Sequence, residues 1–290
     1  MRRIDMEMAA DEEEFMNRLI KYRWFSAACM ALCVLLAACA GGAGKIPKET
    51  KLTLSADGKE IIMDAAALNA REQENGLYTA INNWPTEKTF AARGILLKNL
   101  FEAWGVPKPE RIVFEAADGY QAALTYDQLF AKRYSFAGGQ QTEIEPILAY
   151  LLAEGTDEKA VQPCGLTLLL GQGNTFEQTN PVFVENVSKI LFFYDAPPKL
   201  ALATSFPAAG KVKKGAAVKL QHPQINMVKL YYTTDGSSPT EFSQMYNPSV
   251  YQPVLNTPII IEQSMTIKVI AVGYGSIDSD VAEISFEVSP

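Results

Sequence analysis

The chain has 290 residues, 48% of them hydrophobic and 20% charged, enough for two globular cores and more than one typical domain needs. Acidic side chains outnumber basic ones, 33 to 26, and the resulting net charge of −7 argues against nucleic acid, whose phosphates demand a positive surface. The single histidine, His222, leaves no histidine-rich zinc cluster and speaks against a Ser-His-Asp or Cys-His hydrolase.

The first fifteen residues carry the acidic block Asp11 to Glu14, which does not suit an export signal, and Met16 is a better start. Arg18, Lys21 and Arg23 then precede an uncharged run from Trp24 to Ala38. Basic flank, apolar middle and small residues before a cut describe a secretory signal over residues 1–38. The run Trp24–Ala40 also sits at the lower limit for a membrane-spanning anchor, the alternative reading. Leu36-Ala37-Ala38-Cys39 resembles the lipobox of bacterial lipoproteins, in which the cysteine is diacylated and becomes the first residue. That resemblance implies Cys39 as the lipid attachment site and an extracytoplasmic protein anchored to the membrane. Of the four cysteines, Cys29 and Cys33 leave with the signal and Cys39 takes lipid, so Cys164 has no partner within the chain. Residues 39–50 read as a flexible tether.

A first domain is expected over 51–196. Lys51–Leu54 and Glu60–Met63 read as strands around the Asp57-Gly58 turn, with Asp64 capping a short helix to Ala70. Leu77–Ile81 returns to strand. Leu97, Leu100, Phe101 and Trp104 recur at helical spacing, and Gly105 and Pro107 stop that helix. Ile112–Ala116 is a strand entering the Asp118-Gly119-Tyr120 turn, and Thr125–Lys132 a helix capped by Thr125. Glu145–Ala153 reads as a short helix, Leu166–Leu170 as a buried strand and Val187–Tyr194 as the closing strand. Ala196-Pro197-Pro198 is a stiff linker. A second domain, 199–290, shows alternating segments at Ala217–Leu220, Val228–Thr234, Ile259–Ile261, Met265–Val272 and Ala282–Val288, the pattern of a small β-sandwich.

Tyr231-Tyr232-Thr233-Thr234-Asp235-Gly236-Ser237-Ser238-Pro239-Thr240, with Tyr246-Asn247, Thr266–Ala271 and Ser279, resembles the Ig-like C-terminal module of chitobiase and β-hexosaminidase. The resemblance covers nearly all of the second domain and implies a non-catalytic module. Tyr231, Tyr232, Tyr246, Tyr251 and Tyr274 are then candidate platforms for sugar or wall binding, or simply sandwich aromatics; the main expected role is a spacer.

The first domain resembles a divergent molybdopterin-binding domain of the sulfite oxidase type, so the overall fold class is α+β: a mixed α+β domain followed by the sandwich. The resembling residues are Gly94–Phe101, Gly105-Val106, Val113–Tyr120, Ile147–Tyr150, Leu166–Gln172 and Val187–Ile190. In that family a cysteine thiolate binds molybdenum from the loop that precedes Gly94 here. The corresponding loop, Asn82-Asn83-Trp84-Pro85-Thr86, has no cysteine, and Thr167 stands where an arginine is frequent. Cys164 does not match the ligand position. The expectation is therefore no metal, no catalytic residue and no cofactor, with molybdopterin kept as the alternative. A small anionic ligand is expected near Arg93, with Trp84 and Tyr120 as walls and Asp118 beside them; Lys88 and Arg133 are further cations. Gly171-Gln172-Gly173 lacks the rest of a dinucleotide loop, and the acidic pair Glu143 and Glu145 reads either as hydrolase carboxylates or as surface charge. The favoured function is a non-catalytic scaffold binding a ligand or a surface protein. The alternatives are a molybdopterin-dependent oxidoreductase or electron-transfer accessory, and cell-wall or polysaccharide binding.

Overall fold

A computed structural model describes residues 44–105 and 107–289. The signal, Met16 and Cys39 lie outside the described residues. Gly44–Pro290 cluster as one compact unit, and no helix among the described residues is long and apolar enough to cross a membrane.

The first half opens with a docked segment. Ile46, only 4% exposed, enters the main core, and its amide donates to Asn69 Oδ1 at 3.1 Å. The expected flexible tether over 39–50 is thus fixed from Gly44 onward, because an apolar side chain and a side-chain clamp hold it. Strands β1 (Lys51–Ala56) and β2 (Lys59–Asp64) pair around Asp57-Gly58, both of which adopt positive φ. Asp64 then caps the helix Ala65–Asn69, accepting from Ala67 N at 2.9 Å.

Next come β3 (Gln73–Ile81) and β4 (Glu87–Leu96), paired in full register from Gln73↔Ile95 to Ile81↔Glu87. The helix Leu97–Trp104 follows, with Leu97, Leu100 and Phe101 buried and Gly105 closing it in the left-handed conformation. Burying a side chain such as Leu100 stabilises by about 1.5–3 kcal/mol. Strands β5 (Arg111–Ala116) and β6 (Gln121–Thr125) lead into the helix Tyr126–Phe130, whose capping box pairs Thr125 with Gln128. The short ladder of β7 (Arg133–Ser135) and β8 (Thr142–Ile144) precedes β9 (Ile147–Glu154), β10 (Gln162–Leu169) and β11 (Val187–Phe193).

Two sheets organise this half. One has order β2-β1-β11-β5-β6, with β1 and β11 parallel; the other, β10-β9-β4-β3, is antiparallel. The helix expected at Glu145–Ala153 is instead β9. Ile147 through Leu151 are all buried, so the segment is covered on both faces between β4 and β10, and its unbroken apolar run carries no period to separate strand from helix. Gly94 permits the close approach of β4 to β9, since a Cβ there would stand 2.5 Å from the Leu148 carbonyl oxygen.

The second half has its own core and no helix longer than a single turn among the described residues. Its strands are β12 (Thr204–Phe206), β13 (Gly210–Lys213), β14 (Ala216–Gln221), β15 (Lys229–Thr233), β16 (Gln244–Met245), β17 (Ile259–Ile261), β18 (Met265–Val272) and β19 (Ala282–Ser289). They form sheets β12-β14-β17 and β13-β19-β18-β15-β16. Val218, Leu220, Ile267, Val269, Ala271, Ile284 and Phe286 alternate inward, which gives an Ig-like sandwich. The described chain is thus mostly β, and the α+β expectation fits it only loosely: its three α-helices have five, eight and five residues.

Candidate functional site

The loop between β3 and β4 is shaped by one side chain. Asn82 Oδ1 accepts from Trp84 N at 2.8 Å and Thr86 N at 3.0 Å, while Thr86 Oγ1 donates to the Trp84 carbonyl. These bonds fix the backbone on both sides of Trp84.

A second loop, 246–258, comes from the other half and is pinned at its base by buried Asn247. That amide accepts from Leu230 N at 2.7 Å and donates to Val228 O at 2.8 Å and Ile225 O at 3.0 Å. Buried Ser249 Oγ accepts from Gln252 N at 2.9 Å and Tyr251 N at 3.2 Å, and donates to Asn83 O at 2.7 Å. The two loops are thereby joined, and Trp84 stacks on Tyr251 with ring centroids 5.4 Å apart and planes 14° off parallel. Tyr120 is a third exposed ring near this loop: it is hydrogen-bonded to Pro181, and Gln178, three residues before that proline, donates through Nε2 to Pro248 O at 2.6 Å. Its turn is set by Asp118 Oδ1 accepting from Tyr120 N at 3.0 Å and by Gly119 at φ 90°, and its hydroxyl donates to Pro181 O at 2.7 Å. Burial pushes the Tyr120 phenol up, and the neighbouring Tyr251 adds to it.

Arg93 does not join them. It lies in mid-strand opposite Asn75, six residues along β4 from Glu87, which is about 20 Å of strand. There Nη2 donates to Gln73 Oε1 at 3.0 Å. The expected pocket of Arg93 walled by Trp84 and Tyr120 is therefore not formed: the hairpin carries its loop and its mid-strand arginine to different places. The other cations are engaged. Lys88 pairs with Glu154. Arg133, 5% exposed, donates through Nη1 to both Glu177 oxygens (2.9 and 3.1 Å) and Gly171 O, and through Nε to Gln128 O.

The tyrosines expected as platforms separate by environment. Tyr231 and Tyr246 are buried and Tyr232 packs against the sandwich core. Tyr274 faces the first half, its hydroxyl donating to Glu177 Oε1 at 2.8 Å. Burial first, then the Glu177 charge, push its phenol well above the ordinary range. Tyr251 alone of the five is more than a third exposed.

The remaining candidates have structural partners. His222 is buried, with Nε2 3.0 Å from Ala201 O and Nδ1 accepting from Gln224 N. Glu143 pairs with Lys132 at 2.9 Å and Glu145 with Lys98 at 2.6 Å; both acids line a cavity of roughly 290 Å³ with Glu72 and Glu74. Gln172 bridges to Tyr134, which accounts for the Gly171-Gln172-Gly173 turn. Buried Thr167 turns back to Gly165 O, and burial raises the Cys164 thiol to about 11. The sequence reading missed Ser249, which links the loops, and the exposed edge-to-face pair of Phe176 and Phe242 across the same junction.

No curated protein matches the chain. Among solved structures it has a remote likeness to the sulfane dehydrogenase SoxCD from Paracoccus pantotrophus, at 11% identity and a TM-score of 0.36, covering 81% of this chain and 71% of that one. Residues 207–283, within the second half, match the chitobiase/β-hexosaminidase C-terminal domain family.

Proposed function

We propose that this chain is a non-catalytic scaffold of the cell envelope, anchored through lipid on Cys39, which binds its ligand on a composite surface made by both halves. The observation that carries this reading is the fate of the loop Asn82–Thr86. That loop aligns, by sequence resemblance, with the thiolate-bearing loop of sulfite oxidase-type domains. Here its backbone and its indole are committed to the second half through Ser249 and Tyr251.

The donors present do not fit a molybdopterin. Asn82 Oδ1 already accepts two backbone amides, and an amide oxygen is no substitute for a thiolate at a soft metal. The Cys164 thiol is held protonated at neutral pH by burial, and Arg133 is neutralised by Glu177.

Carbohydrate binding is the second reading. It is favoured by the half-exposed Trp84–Tyr251 stack and by the carbohydrate-related family that residues 207–283 match. The test of the main reading has two parts. Metabolic labelling with a fatty acid should mark the wild type and not Cys39→Ala. Elemental analysis, after expression with an active molybdopterin pathway, should find no stoichiometric molybdenum; finding it would put the oxidoreductase first.

A further inference from the structure

We infer that Trp84, Tyr251 and Tyr120 form a binding surface for a neutral polysaccharide, laid across the junction of the two halves. The inference rests on the reading of the chain as a binding scaffold and names the surface and its ligand class.

Three large rings stand 49%, 52% and 50% exposed, at Trp84, Tyr251 and Tyr120 respectively. Each is carried by a loop or turn whose backbone is fixed by a side-chain bond, from Asn82, Ser249 and Asp118. Wet apolar area is unfavourable, at about 25 cal/mol per Å² left in water. Rings that are both exposed and held in place are prepared to cover something.

Charge selects the occupant. From Phe242 to Ile261 the chain runs twenty residues without a charged side chain, and Asn82–Thr86 has none either, in a protein that is 20% charged. No cation in these two loops would recruit a phosphate, a carboxylate or an anionic membrane, and Asp118, in the turn that carries Tyr120, is acidic and repels them. The complementary partner is uncharged. A pyranose ring is such a partner, with an apolar C–H face to lie on an aromatic plane and hydroxyls for amides such as those of Asn83 and Gln252 in the same loops.

Shape selects a polymer over a small molecule and over a protein. Trp84 and Tyr251 stack nearly parallel with about half of each ring exposed, and the half-exposed Tyr120, hydrogen-bonded to Pro181, adds a third ring, so the exposed aromatic area exceeds one sugar ring. Protein hot spots seat an aromatic anchor in a desolvated pocket. Here the rings fill each other's faces and leave a ledge. Because Trp84 and Tyr120 come from the first half and Tyr251 from the second, neither half holds the whole surface.

The test uses the full chain solubilised in detergent, incubated with insoluble cellulose, chitin and starch, and with calcium alginate as an acidic polymer. The expected result is depletion by at least one neutral polymer and not by alginate. Trp84→Ala and Tyr251→Ala should each weaken that binding about ten-fold, whereas Trp84→Tyr and Tyr251→Phe should retain most of it. Binding is measured at a temperature at which each variant's thermal transition shows it fully folded. On the unaltered protein, soluble oligomers of the bound polymer should shield indole fluorescence from acrylamide. Failure of all three neutral polymers, preference for alginate, or undiminished binding by both alanine variants would overturn the inference. Capture of a purified surface protein on these rings while the polymers stay inert would do the same. Loss of fatty-acid labelling with polymer binding intact would instead sink the lipid anchor and leave this surface standing.

Discussion

In one part of the junction buried Arg133 is closed over by Glu177 and Tyr274, both only partly exposed; in another, Trp84 and Tyr251 stack with half of each ring exposed. Both contacts join the same two halves. The buried group is directional: a guanidinium, a carboxylate and a phenol satisfy one another only in a single alignment. The exposed stack is tolerant, since offset rings slide at little cost. The first therefore sets how the halves meet, and the second is left free to contact something else.

The sharpest way to break this contrast is Glu177→Ala. It strands the Arg133 guanidinium in a nearly dry site and removes the nearer acceptor of the Tyr274 hydroxyl, leaving only the Gln178 carbonyl at 3.4 Å. A loss of about 3–5 kcal/mol is expected by chemical denaturation, because an uncompensated buried charge is the costly state. A loss below about 1 kcal/mol would mean that water reaches Arg133 and the site is not sealed.

Gly275→Ala should come next. A Cβ at that position would sit 2.5 Å from Ala123 Cβ, at a φ of +67° that favours glycine, so the second half must shift against β6. The expected cost is about 1–3 kcal/mol. Tyr274→Phe is milder, about 0.5–1.5 kcal/mol, for a hydroxyl whose short bond to Glu177 and longer one to Gln178 are lost with the ring retained. It also carries a pH signature. The Tyr274 phenol is raised in the folded state above its ordinary value of 10.0, so its contribution is full below pH 10 and is lost as pH rises further. Wild type and Tyr274→Phe should therefore converge in stability at alkaline pH; a constant gap would show that the phenol ionises no differently on folding.

Much of the scaffold was legible because local chemistry decides it. Asp64, Thr125 and Gly105 act as caps and stop as their types require, and the period-two strands of the second half fall where alternation put them. β9 was illegible for the opposite reason: covered on both faces, it leaves no polar face to mark a period. β4 was hidden by Arg93-Gly94, where the ladder to β9 shifts register. Trp84 and Tyr251 were each singled out by type, but their meeting is a tertiary event with no local trace. The charge-free stretch Phe242–Ile261 marks the second loop as uncharged but says nothing of what it meets.

Trp84→Ala should cost clearly less than Glu177→Ala. An aromatic pair is worth about 0.5–1.5 kcal/mol beyond its buried area, and the covered half of the indole adds to that, so a total loss of about 1–3 kcal/mol is expected. The loop itself should hold, because Asn82 shapes it through backbone amides that the substitution leaves in place, and Ser249 reaches Asn83 through a backbone carbonyl. Thermal midpoints of the full chain therefore order the two variants: Glu177→Ala far below wild type, Trp84→Ala less far below. If Trp84→Ala falls as far as Glu177→Ala, the stack is a structural clasp like the buried group, and the division between a part that holds and a part that is free to bind is lost. If it falls less far and polymer binding falls with it, the indole is kept exposed for the ligand and not for the fold.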